Sequence, residues 1–258
     1  MFPKSLERFL LKVQKPGRYT GGELNSVIKD PKNADMRFAF CFPDVYEIGM
    51  SHLGMKILYS LLNSREDTRC ERVFAPWTDM EEVMRREDIQ LYGLESGEPI
   101  KDFDFIGFTL QYELCYTNVL NMLNLASLPV KAGQRTGLTP IVMGGGPCAC
   151  NPEPLAEFFD LFVLGEGEEV NVQLLELLKT HKKMNSSKKE FLLAACKIPG
   201  VYVPSLYRAE YHQDGRLSAI KAAEGAPETV KKRTISDLDT VFAPEKFVVP
   251  FLEIVHDR

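Results

Sequence analysis

From residue 37 onward the chain alternates short apolar runs with longer stretches whose apolar residues recur at helical spacing. Five runs read as strands: Arg37–Phe42, Glu71–Ala75, Phe105–Thr109, Pro140–Met143 and Leu161–Leu164. They are bounded by Gly, Pro or Asp and are nearly all apolar, the pattern of a sheet buried on both faces. Between them, Met50, Leu53, Ile57, Leu58 and Leu61 recur at i, i+3, i+7, i+8 and i+11 and predict a helix with one broad apolar face. The stretch Trp77 to Glu87 predicts a short helix after the second strand. Another helix begins near Glu113 and carries Cys115, Val119, Met122, Leu123 and Ala126 on one side. The helix after the last strand turns Val170, Leu174, Leu177 and Leu178 inward. Its first turn holds Glu166, Glu168 and Glu169, which complement the positive helix terminus or meet a ligand.

The flanks differ from this pattern. Residues 1–34 hold a short amphipathic stretch, Ser5 to Val13, and the turn-rich run Lys15 to Gly22, and read as an arm packed on the main domain. Val201 to Tyr211 and Leu217 to Lys221 flank Asp214-Gly215, a hairpin signal. Pro204 restricts the first of these segments to an edge or a strand start. The expected organisation is an arm (1–34), an α/β domain (35–197), a hairpin extension (198–222), and a linker with one further strand, Lys246 to Val255 (223–258). Right-handed crossovers predict a flavodoxin-like (Rossmann-like) five-stranded parallel sheet of order 2-1-3-4-5, with helices on both faces.

Composition narrows the function classes. The 258 residues are 45% hydrophobic and 26% charged, an ordinary globular make-up with enough chain for a large core. The net charge of −5 argues against a nucleic-acid surface. No uncharged run reaches the roughly 18 residues of a membrane span. The start, Met1 to Arg8, is interrupted by charges and is not a secretory signal, so a cytoplasmic protein is expected. The cysteines Cys41, Cys70, Cys115, Cys148, Cys150 and Cys196 read as small buried residues in a reducing compartment. Cys148-Ala149-Cys150 has neither the spacing nor the second pair of a metal site.

Chemistry is expected where three loops leave the carboxyl ends of neighbouring strands: Pro43–Gly49, Thr109–Glu113 and Gly144–Cys150. Open α/β sheets bind ligands at that edge. Asp44 and Glu47 in the first loop act as acids and bases, or simply cap and meet solvent. Gly144-Gly145-Gly146 lets the backbone approach a ligand closely, or makes a tight turn. Thr109 adds a small hydroxyl. The first loop lacks the Gly-x-Gly-x-x-Gly of a dinucleotide site. Thr109-Leu110-Gln111 stands where a receiver domain would have its phosphorylatable Asp.

The run Asp44-Val45-Tyr46-Glu47-Ile48-Gly49 resembles the Asp-x-His-x-x-Gly signature of cobalamin-binding domains. Thr109 falls at the Ser of their Ser-x-Leu element, Gln111 at its leucine, and Gly144-Gly145 at their Gly-Gly element. More widely, Pro43 to Gly54, Ile141 to Pro147, Asp160 to Glu168, Pro199 to Pro204 and Asp237-Leu238-Asp239 resemble the amino-terminal half of cobalamin-dependent radical S-adenosylmethionine proteins, in an uncharacterised branch. The resemblance implies a cobalamin site at Asp44, Val45, Tyr46, Glu47, Gly49, Thr109, Gly144, Gly145 and Gly146, with a slot for the dimethylbenzimidazole tail. It also implies a downstream radical domain, in the same chain or a split one. That domain would hold a [4Fe–4S] cluster and S-adenosylmethionine through a Cys-x-x-x-Cys-x-x-Cys motif. The sequence stops before any such motif, so a fragment or split gene, inactive alone, is expected.

Tyr46 stands where the histidine would ligate cobalt. A phenol, with a reference pKa of about 10, stays protonated at neutral pH and is a poor donor to cobalt. Base-off cobalamin without a protein histidine is therefore expected, with Tyr46 under the corrin. His52 either reaches across to the metal or caps the helix. The competing reading is a degenerate domain that binds no cobalamin and scaffolds the radical core or presents its substrate. The substrate itself is left open.

Overall fold

The computed structural model describes residues 7–30, 34–223 and 225–249. Its centre is a six-stranded sheet of order β2-β1-β3-β4-β5-β6. Strands β1 (Met36–Phe42), β2 (Thr68–Phe74), β3 (Phe105–Thr109), β4 (Ile141–Gly145) and β5 (Leu161–Val163) run parallel, as their apolar runs predict. The last strand, β6 (Val201–Tyr202), is antiparallel to β5. Helices α1 (Tyr46–Ser51) and α2 (Leu53–Ser64) follow β1, α3 (Thr78–Arg86) follows β2, α4 (Tyr116–Leu125) follows β3, and α5 (Glu168–Lys183) and α6 (Lys188–Ala195) follow β5, while 3-10 turns join β4 to β5. A separate hairpin follows, β7 (Tyr207–Tyr211) and β8 (Leu217–Ala222). The architecture is Rossmann-like.

Strand β6 comes from a segment expected within the hairpin. Gly200, at φ 90°, turns the chain back. Val201 and Val203 are fully buried, so this apolar pair covers the edge of β5 instead of lengthening the hairpin. Pro204 then opens a 3-10 turn.

The helix expected from Met50 is broken at His52, whose ψ of 115° is extended. The two pieces are therefore out of phase. Met55, Tyr59 and Leu62 form the buried stripe of α2, while Leu58 is half-buried and Leu53 exposed. The stripes of α4 (Val119, Met122, Leu123) and α5 (Val170, Leu174, Leu178) match their spacing.

Strand β2 starts before its apolar run, and all of it is buried, including Arg69, Glu71 and Arg72. Each charge has a partner, which is the condition for burying it. The Arg72 N–H and Nε donate to Glu95 (2.8 and 2.6 Å), and its two terminal nitrogens donate to Glu23 of the arm (2.6 and 2.7 Å). Arg69 pairs with Glu71 and Glu98. The arm is held by Glu23 and by the buried Phe9, Val13 and Tyr19.

Residues 225–249 are mostly irregular yet fastened: Arg233 bridges to Gly165, and the buried Val248 accepts from the Asn25 N–H. Of the strand-like run Lys246 to Val255, positions 246–249 are irregular and 250–255 lie outside the described residues. The first two positions of the Ser5–Val13 stretch also lie outside them.

Candidate functional site

A cavity of about 330 Å³ opens where β1, β3, β4 and β5 end. Strand alternation puts Phe38, Phe40, Gly107, Thr109, Met143 and Gly145 on one sheet face, and the register aligns Phe40, Gly107 and Met143. All six line the cavity, with Leu58 and Leu62 of α2 across from them. Gly107 contributes its depth: a Cβ there would stand 2.7 Å from the Phe38 ring. A Cβ on Gly145 would meet nothing closer than 3.8 Å and would point into open space.

The cavity also has a polar set. His52 is the N-cap of α2, its Nδ1 accepting from the Met55 N–H (3.1 Å). The neutral ring therefore carries its hydrogen on Nε2. Burial pushes the His52 pKa below its ordinary value, and a hydrogen bond with Gln111 opposes that only in part. Gln111 Nε2 in turn donates to Thr109 Oγ1 (2.7 Å). Gly54 leaves room for the imidazole, since a Cβ there would lie 2.9 Å from His52 Cε1. Gly146, at φ 94°, admits no side chain: a Cβ would lie 2.9 Å from the Leu110 carbonyl oxygen.

The far wall is Gly165–Glu168 with Asn171. Residues from the expected linker fix it in place. The Arg233 N–H donates to the Leu164 carbonyl (2.8 Å), the Glu166 N–H donates to the Arg233 carbonyl (3.2 Å), and Arg233 pairs with Glu169. Gly165, at φ 101°, permits this contact. Of the three acidic residues expected in the first turn of α5, Glu166 lies before the helix, and its carboxylate accepts from the Ile235 N–H of the linker; Glu166 and Glu168 line the cavity and Glu169 pairs with Arg233.

The residues singled out in the sequence divide into two groups. Thr109, Gly145 and Gly146 share the cavity, and Thr109 pairs in register with Gly145. Gly144 lies inside β4, where a Cβ would be 2.9 Å from Phe162, and is a packing glycine. The first loop touches the second, because the Tyr112 hydroxyl donates to Asp44 and Asn118 Nδ2 donates to the Pro43 carbonyl (2.9 Å). Asp44, Val45, Tyr46, Glu47 and Gly49 are not among the cavity-lining residues, however. The Val45 N–H donates to Asp44 Oδ1 (2.7 Å).

Tyr46 packs edge-on against Phe74, with centroids 5.2 Å apart, and its hydroxyl donates to Glu23 (2.7 Å). Burial, with the Glu23 charge, pushes the Tyr46 pKa well above the ordinary phenol value. Burial alone would raise Glu23, but Arg72 and the Tyr46 hydroxyl outweigh it and hold that carboxyl low. Glu47 pairs with Arg18 (2.8 Å) and Lys15 (2.9 Å). Gly49 lies against Phe74, where a Cβ would be 2.3 Å from the ring. The arm thus grips this loop through residues that do not line the cavity.

Gly107 and Asn171 belong to no motif, whereas His52, Gln111 and Gly165–Glu168 fall in stretches singled out in the sequence. The one signal for Gln111 is its place two residues after Thr109. Cys148 is partly buried and Cys150 exposed. Among the described residues no group of three or more His, Cys, Asp or Glu is placed to hold a metal ion, and no helix is long and apolar enough to cross a membrane.

A mostly parallel α/β sheet with a cavity at its carboxyl edge defines a Rossmann-like domain. The chain belongs to the radical S-adenosylmethionine proteins, as their amino-terminal domain: residues 54–204, more than half of it, match the family model described as radical SAM proteins, N-terminal. It is 31% identical over 137 residues to an uncharacterized protein of Methanocaldococcus jannaschii, covering 53% of this chain and 25% of that one. Among solved structures it is similar to the radical S-adenosylmethionine methyltransferase TsrM from Kitasatospora setae, with tryptophan substrate and a SAM analog bound. That match has 13% identity and a TM-score of 0.40, and covers 74% of this chain and 30% of that one. The chain thus spans a quarter of the curated relative's length and under a third of TsrM's.

Proposed function

We propose that this chain is the base-off cobalamin-binding module of a radical S-adenosylmethionine enzyme. It would hold the corrinoid over the sheet edge for methyl transfer or redox chemistry by a downstream iron–sulfur domain, in the same chain or a separate one. The observation that most supports this reading is the cavity. Thr109 and Gly145, which fall at the slot elements of the resemblance, share one hollow deepened by Gly107.

At about 330 Å³ the hollow is at the small end of ligand sites. That suits a bicyclic aromatic base and not a corrin ring. The residues present fit such a tail: Phe38, Leu58, Leu62 and Met143 offer apolar walls, and Gly145 leaves space that a Cβ would fill. When bound, cobalamin supplies the methyl-transfer or redox chemistry itself. The chain's part is to bind and orient it. The apolar walls exclude water from the tail, and Thr109 supplies a hydroxyl. The arm fixes the Asp44–Gly49 loop beside the hollow through Glu23, Arg18 and Lys15. Tyr46, protonated and engaged by Glu23, would leave cobalt without a protein nitrogen.

Reconstitution of the chain with hydroxocobalamin, followed by gel filtration and absorbance, tests the proposal. A retained and shifted corrin band is expected, and Gly145→Leu should abolish it by filling the hollow. Folded protein that elutes free of corrinoid would sink the reading. It would favour the second one, a scaffold or substrate-presenting domain of the same enzyme, to which the engaged hydroxyl of Tyr46 also lends support.

A further inference from the structure

The hairpin of β7 and β8 is a two-stranded sheet separate from the central one. A ribbon of two strands is marginally stable in water, and a third strand is what usually secures it. Its base is fixed. The Ala223 N–H donates to the Leu206 carbonyl (2.7 Å), the Tyr207 hydroxyl donates to the Pro227 carbonyl (2.7 Å), and the Tyr207 and Tyr202 rings lie 4.7 Å apart. Beyond that base, among the described residues, no other segment hydrogen-bonds to the main chain of either strand. Strand alternation places Ala209, Tyr211, Leu217 and Ile220 on one face and Arg208, Glu210 and Lys221 on the other. Tyr211, Leu217 and Ile220 are exposed.

The two edges of this ribbon differ. At Glu210 and Tyr211 the register skips Ser218, which makes a bulge in β8, and Lys221 lies on the same strand. Bulges and lysines are devices that close a sheet edge to further strands. Strand β7 carries neither, being a regular run of five residues, Tyr207–Tyr211. Its charges are also self-complementary. Antiparallel pairing of β7 with a second β7 about Ala209 sets Arg208 opposite the second copy's Glu210, and Glu210 opposite its Arg208. Glu210 already pairs with Lys221 (2.9 Å), and a carboxylate has room for a second donor. On the other face the same register sets Tyr211 opposite the second copy's Tyr207, an aromatic cross-strand pair.

We infer that the β7 edge pairs with that of a second copy of this chain, joining two hairpins into one four-stranded antiparallel sheet of order β8-β7-β7-β8. The inference is independent of the cobalamin reading. A two-fold axis at Ala209 makes every contact twice, as in other isologous interfaces. Main-chain hydrogen bonds along the edge hold the copies together, and the two Arg208–Glu210 pairs fix register and partner.

Sedimentation equilibrium of the 258-residue chain, from micromolar to a few hundred micromolar, tests this. The mass should rise with concentration from 29.2 kDa toward twice that value. Arg208→Glu and Glu210→Arg each set like charges opposite one another at both pairs, and each should weaken association about tenfold or more. An equimolar mixture of the two variants places Glu opposite Arg at both pairs again, and it should recover the association that each lacks alone. A chain that stays at 29.2 kDa throughout overturns the inference, whether the edge lies open or meets a different protein. An association that neither variant weakens, or that mixing them fails to restore, overturns it as well, because the contact then lies elsewhere. The mass is read first on the unaltered chain, so a variant that fails to fold does not remove the test.

Discussion

Replacing Arg72 by methionine would open the ion cluster that ties the arm to the edge of the sheet. The Arg72 side chain is 1% exposed, Glu95 2% and Glu23 12%, so the variant leaves two carboxylates in poor solvent without their shared cation. Removing one partner of a buried ion pair costs about 3–5 kcal/mol, a large share of the roughly 5–15 kcal/mol that holds a domain folded.

The pH dependence has a definite sign. Glu23 is held low because Arg72 outweighs the effect of burial. Such a carboxylate adds stability above its unfolded value of about 4.3 and loses it as pH falls through the folded value. Without Arg72, burial dominates, the Glu23 pKa rises, and acid relieves the variant by neutralising the stranded charge. The gap between parent and variant should be widest near neutrality and narrow toward about pH 4. Urea denaturation followed by circular dichroism at both ends of that range measures it. A deficit under about 1 kcal/mol at neutral pH, or one that acid leaves unchanged, refutes the reasoning.

Two further outcomes are expected. Gly49→Ala places a Cβ 2.3 Å from the Phe74 ring. Overpacking of about 1–3 kcal/mol should exceed the gain of about 1 kcal/mol from removing a helical glycine. The thermal midpoint should fall, and a rise would contradict the contact. His52, with its pKa below 6.5, contributes stability that is complete above that value and is lost as pH falls through the folded one, when Nδ1 must give up the Met55 N–H. Nitrogen NMR should show a neutral ring with its hydrogen on Nε2 at neutral pH. A titration midpoint above 6.5 would count against the cap.

Strands β1, β3, β4 and β5 were legible because each is an apolar run stopped by turn residues at the sheet edge. The charged start of β2 was not. Its compensation lies in Glu23, 49 residues before Arg72, and in Glu95, 23 after it, and no local pattern reports such pairing. Strand β6 is too short to show a period. The break before α2 has neither Gly nor Pro to mark it, and only the capping role of His52 reveals it.

At the site, Thr109, Gly145 and Gly146 could be found because strand ends in such sheets converge. Tyr46 is drawn to one side by Glu23 and Phe74, contacts made by the arm and by β2 and absent from the Asp44–Gly49 run itself. The depth of the hollow depends on Gly107 in mid-strand, where a missing side chain leaves no motif.

Arg233 lends its main chain to the open end of β5, so one side of the hollow is laid down by stretches of polypeptide far apart in sequence. Peptide groups make this joint, and they stretch far less than long side chains do. Tension along residues 231–235 would be felt directly at Gly165 and Glu166. A molecule wedged against that wall would stiffen the same strip in return.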